Sequence, residues 1–176
     1  MLYGSGRMMA LALGLVVGLV GSAAAQIVPL GAPAPEIAGG PWINSRPLTL
    51  SALRGRVVLI DFWTFGCINC QHVIPQLRAW HERYRGTGLM VVGIHSPEFF
   101  WERGSQSVAA AAEKLGIHYP VVQDNDYAIW NRYGIRGWPT TLLVDRKGIL
   151  RYRHIGEGAY PETEAMIERL LAEKGG

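Results

Sequence analysis

Two kinds of order alternate along the hydrophobic and polar positions of this chain. Val57-Val58-Leu59-Ile60-Asp61-Phe62-Trp63 is an almost unbroken apolar, β-branched run, the mark of a strand buried on both faces. From Cys67 to Arg85 the apolar residues recur instead at helical spacing, as Val73, Ile74, Leu77, Trp80 and Tyr84. Pro75 lies inside this stretch, and because the period continues past it, a kinked helix is expected rather than a terminated one. Gly86 and Gly88 close the segment, and Leu89 to Ile94 reads as a second buried strand. Strand, helix and strand in that order make a parallel βαβ unit.

The flanking regions are less regular. Gln26 to Pro47 is rich in Pro and Gly and has no sustained period, so it reads as an irregular lead-in. Leu48-Thr49-Leu50 suggests a short strand, and Ser51 to Gly55 a helical turn capped by Ser51 and stopped by Gly55. Downstream, Phe99 to Leu115 is expected to contain a helix stopped at Gly116, and Asp126 to cap a short helix running through Tyr133 to Gly134. Thr140 to Asp145 and Ile149 to Ile155 form two strands around Arg146-Lys147-Gly148, an antiparallel hairpin. Pro161 opens a terminal helix with Glu162 and Glu164 near its positive end, and Met166, Ile167, Leu170 and Leu171 give it an apolar face. The whole is an α/β architecture: a mixed sheet covered by helices on both sides.

A length of 176 residues suits one domain. With 49% hydrophobic and 18% charged residues the chain can bury a core, which argues against disorder. Met1 to Ala25 reads as a signal peptide, with Arg7 as its positive region, Met8 to Val20 as its apolar region and Ala23-Ala24-Ala25 as the cleavage pattern. An uncleaved anchor is the alternative, and only that form would hold the protein at a membrane. Either way the folded part is expected in the periplasm or an equivalent compartment outside the cytoplasm, where disulfides persist. The expected organisation is therefore 1–25 signal, 26–47 lead-in and 48–176 folded domain. A net charge of +3 with no Lys/Arg block gives nucleic-acid binding no support.

Only two cysteines occur, Cys67 and Cys70. Closing so short a loop would remove only about 2 kcal/mol of unfolded-state entropy, so the pair is poor as a brace and points to chemistry. One helical turn apart at a helix start, the two side chains share a face and can bond without refolding. Cys67 would face unpaired N–H groups and the positive dipole end, which favour thiolate, whereas Cys70 lies deeper. Hence Cys67 attacks and Cys70 resolves. Zinc would need a second ligand pair that the cysteine count does not supply, and His72 is the one nearby histidine. A copper carrier using Cys67, Cys70 and His72, an inert local disulfide and a thiol peroxidase remain alternatives to a redox CxxC.

At these residues the chain resembles a known family. Asp61-Phe62-Trp63-Thr64-Phe65-Gly66-Cys67-Ile68-Asn69-Cys70 is similar to the active-site segment of thioredoxins, and Trp138-Pro139-Thr140-Thr141 to their cis-proline loop. Gly93 to Phe99 and the helix after it resemble the central insertion of the TlpA-like periplasmic branch, and the pattern is also similar to the soluble domain of some DsbD-type proteins. Gly66 and Asn69 stand where most thioredoxins carry Trp and Pro. The resemblance implies a thioredoxin-like fold with an N-terminal extension and central helical insertion, and disulfide exchange with protein thiols and disulfides. It further implies a membrane electron donor of DsbD type, reduction as the physiological direction, and no organic cofactor or metal. Residue by residue, it makes Asp61 the carboxylate that moves the resolving thiol's proton and Glu98 an acid beside the cysteines. Pro139, in a cis bond, and Trp138 become substrate contacts.

Overall fold

The computed structural model describes Met1 and residues 26–173. Apart from Met1, the expected signal segment lies outside the described residues. Within them, no helix is long and apolar enough to cross a membrane.

Six strands form one sheet: β1 (Trp42–Ile43), β2 (Val57–Trp63), β3 (Leu89–His95), β4 (Val121–Gln123), β5 (Thr140–Val144) and β6 (Leu150–Ile155), in the spatial order β1-β4-β3-β2-β5-β6. The central β2 runs parallel to β3 and antiparallel to β5, so its backbone is paired on both edges. All seven of its residues are buried, as its continuous apolar run requires. Strand alternation divides them between two cores. Val57, Leu59 and Trp63 face helices α1 (Ile68–Tyr84) and α4 (Tyr160–Ala172), in one cluster with Leu77, Trp80 and Ile167. Val58, Ile60 and Phe62 face helix α3 (Ala128–Tyr133) and the N-terminal segment, through Ile129, Tyr133 and Ile37. Pro75 sits inside α1 without ending it, and Pro161 lies in the first turn of α4.

Several local expectations are corrected. The lead-in is not irregular throughout: Trp42–Ile43 pairs antiparallel with β4, Pro33 bridges to Ile149, and Ile37 is fully buried. Its apolar residues are too widely spaced among Pro and Gly to show a period. Leu48-Thr49-Leu50 is not a strand. The short 3₁₀ turn Ser51–Leu53 after it is capped not by Ser51 but from a distance, by the Glu36 carboxylate accepting from the Leu50 and Ser51 N–H groups (2.7 and 3.0 Å). The helix expected within Phe99–Leu115 is present as α2 (Ser105–Lys114), ending ahead of Gly116, and a 3₁₀ turn, Phe100–Arg103, precedes it across Gly104. At α3 the Asp124 carboxylate accepts from Ile129 and Trp130 (2.9 and 2.8 Å), taking the principal capping role expected of Asp126.

Candidate active site

β2 ends at Trp63, a tight turn follows in which the Cys67 N–H donates to the Thr64 carbonyl, and α1 begins at Ile68. Cys67 is therefore the residue that caps α1. Its sulfur accepts the Cys70 N–H at 3.2 Å, an otherwise unpaired donor of the helix start. That contact and the dipole end both stabilise negative charge on the sulfur. Cys70 is one turn deeper and fully buried, whereas Cys67 is half-buried. The two are joined as a disulfide with Cα atoms 5.3 Å apart. His72, the third member of the copper alternative, turns to Glu157, Nδ1 to Oε2 3.0 Å.

Asp61 is buried, on the face of β2 that carries Trp63 and Leu59 and packs against α1, the same side as Cys70. Its neighbours in register are Gly93 and Thr141, and the Thr141 hydroxyl donates to it at 3.3 Å. Burial raises the Asp61 pKa from 3.8 to about 8, and the Thr141 bond opposes this only in part. The carboxyl is therefore mostly protonated at neutral pH, and the ionised fraction that can take a proton grows as pH rises toward 8.

Glu98 does not occupy the place expected of it. Its side chain is exposed, and the acid against the cysteine loop is Glu102, which is fully buried. Glu102 Oε1 accepts the Gly66 N–H at 2.7 Å, and Oε2 accepts those of Glu98 and Phe99 at 2.7 and 2.8 Å. Burial alone would raise its pKa, but hydrogen bonds from Thr64, Phe99, Gly66 and Glu98 outweigh it and hold the carboxyl below the usual range. A Cβ on Gly66 would lie 2.5 Å from Oε1, which accounts for glycine where thioredoxins carry a large aromatic. Beside this contact His95 is fully buried, with Nε2 3.4 Å from the Thr64 hydroxyl and its ring stacked on Phe65. Burial lowers its pKa to about 4, against the pull of the Glu102 charge, so it is neutral. Sequence reading missed Glu102, Thr64 and His95 as a group. The available signal was Gly66 itself, a missing side chain that implies a close neighbour.

The Trp138–Pro139 bond is cis, at the entry to β5. Pro139 is buried and its carbonyl accepts from Gly156 at 2.8 Å, while Trp138 is half-buried, 4.4 Å from Trp130 between ring centroids. Trp138 and Cys67 both border the cluster that contains Cys70.

Comparison with known proteins agrees with this geometry. Residues 30–153 match the AhpC/TSA family. The chain is 44% identical over 152 residues to protein DipZ of Mycobacterium bovis, covering 84% of this chain but 22% of DipZ, so it spans about a fifth of that relative's length. It is 26% identical to the thiol-disulfide oxidoreductase YkuV of Bacillus subtilis, over 80% of this chain and 95% of YkuV. Among solved structures, a thioredoxin-like superfamily protein superposes with a TM-score of 0.77 and 30% identity, covering 82% of this chain and 99% of that one. With the Cys67–Cys70 disulfide at the start of α1, a cis-proline entering β5 and this kinship, the chain belongs to the AhpC/TSA family and carries a thioredoxin-like fold.

Proposed function

We propose that the chain reduces disulfides of protein partners outside the cytoplasm, with Cys67 attacking and Cys70 resolving. The observation that carries this reading is the asymmetry of the pair: a half-buried sulfur receiving an N–H at the helix start, and a fully buried one a turn deeper. The Cys67 thiolate attacks one sulfur of the partner disulfide, and the other partner sulfur leaves as thiolate. Cys70, giving its proton to Asp61 in its ionised form, then attacks Cys67 Sγ, and the second partner sulfur leaves. Two electrons pass to the partner and the chain is left as the Cys67–Cys70 disulfide. A dithiol donor, of the membrane DsbD type in this reading, returns them. The backbone at Trp138 and the buried Pro139 would bound the groove for the partner segment. No step calls for an organic cofactor.

A peroxidase would use Thr64 to hold its reactive cysteine, but that hydroxyl is fully buried and turned to Glu102 and His95. The test is trapping. Cys70→Ser is expected to accumulate mixed disulfides with protein partners, and Cys67→Ser to form none. Equal trapping by the two variants would overturn the assignment, and rapid peroxide consumption without a thiol partner would favour the peroxidase.

A further inference from the structure

Three consecutive aromatics are left in the open beside the redox loop. Phe99, Phe100 and Trp101 are 42, 79 and 54% exposed. The Phe99 and Trp101 rings stack with centroids 4.5 Å apart and 6° between planes, and Phe100 meets Trp101 edge-on at 5.1 Å. Apolar side chains exposed singly need no explanation, but a contiguous aromatic group does.

The backbone beneath them is fastened at both ends. Glu102 binds the N–H groups of Glu98 and Phe99 on one side and of Gly66 on the other, so a single buried carboxylate joins the aromatic turn to the loop that carries Cys67. The Tyr127 hydroxyl donates to the Pro97 carbonyl before the turn, and the Asn125 amide donates to the Arg103 carbonyl after it at 3.0 Å. Phe99 Cδ2 would lie 3.9 Å from a Cβ at Gly66, next to the nucleophile. On the helix side Ile68, the residue after Cys67, is 60% exposed. The aromatic turn thus reaches the residue before Cys67, and Ile68 adds exposed apolar surface directly after it. Glu98 and Arg103, both exposed, flank it with opposite charges, so it presents no net field to select a charged partner.

We infer that the Phe99–Trp101 turn, held by Glu102, is a docking wall for bulky apolar residues flanking the disulfide of a partner protein. This inference rests on the exchange reading above and adds the class of partner to it. A wall fixed to the nucleophile's loop, with its side chains ordered in advance, reduces the ordering cost of binding and places the target disulfide against Cys67.

The test uses the full chain, reduced, and two synthetic peptides. Each carries one intramolecular disulfide, and they differ only in whether Phe or Ser adjoins the attacked cysteine. The wild type is expected to be oxidised about tenfold faster by the Phe peptide, and the double variant Phe100→Ser, Trp101→Ser to lose that preference. Equal rates with both peptides in the wild type, or a preference that survives in the variant, would overturn this inference alone. Oxidation by neither peptide would overturn the exchange reading as well. Two further measurements accompany the rates. Equal peptide rates with binding to phosphatidylcholine–phosphatidylglycerol vesicles that the variant loses would assign the turn to a membrane surface. Equal rates with a dimer that dissociates in the variant would assign it to self-association. Either result overturns the inference.

Discussion

Replacing Asp61 by Asn removes one ionisation from the centre of the molecule and leaves the side-chain shape unchanged. An unfolded chain ionises this carboxyl near pH 3.8, whereas the folded protein holds the proton to about pH 8. Between those values the unfolded state binds fewer protons than the native one. Stability present below pH ~4 is therefore lost as pH rises, at about 1.4 kcal/mol per pH unit, until the native carboxyl itself ionises near 8. By pH 7 the loss is on the order of 4 kcal/mol. Asp61→Asn should recover most of it at pH 7 and little at pH 4, flattening the pH dependence of urea unfolding across that window. The same variant should slow catalysis. With an aromatic disulfide reagent that releases a coloured thiolate, attack by Cys67 gives a first release and attack by Cys70 on the mixed disulfide a second. Loss of the base is expected to slow the second release roughly 100-fold and to abolish its rise with pH near 8, with the first little changed. A variant that keeps the wild-type stability slope and the wild-type second phase would show that Asp61 neither pays the burial penalty nor moves the proton.

Glu102 should behave with the opposite sign. Its native pKa is depressed, so its contribution is present above the ordinary value of 4.5 and is lost as pH falls through the native one; Glu102→Gln is expected to cost about 3 kcal/mol at neutral pH, by loss of charged acceptors for buried N–H groups, and less in acid. Urea midpoints at two pH values check this, and an equal cost at both would refute the sign. Equilibration of the Cys67–Cys70 couple against glutathione should give a potential well below roughly −200 mV if the chain is a reductant, and a value near −120 mV would mark an oxidant. Among the described residues one N–H, that of Cys70, reaches the Cys67 sulfur from α1, and neither Ile68 nor Asn69 between the cysteines is cationic, which gives the thiolate modest help.

What could be read along the chain was whatever neighbours in sequence decide. The buried β2 run, the helical period across Pro75, the hairpin of β5 and β6 and the Pro161 helix start all follow from side chains a few residues apart, and each formed as expected. So did the placement of Cys67 at the helix start with Cys70 buried a turn deeper, because a helix start is set by residues a few positions apart. The burial of Asp61 was legible for a similar reason, its neighbours along β2 being apolar on both sides. The tertiary structure decided what depends on a partner far away in sequence. β1 exists because β4 offers it an edge, and the Ser51–Leu53 turn is capped by Glu36 from across the lead-in. Glu98 and Glu102 are one helical turn apart and equally acidic on paper, yet only Glu102 meets the loop of Cys67. A buried carboxylate must find donors in three dimensions, and those of Gly66, Glu98 and Phe99 converge on one point only after β2 and β3 pair side by side.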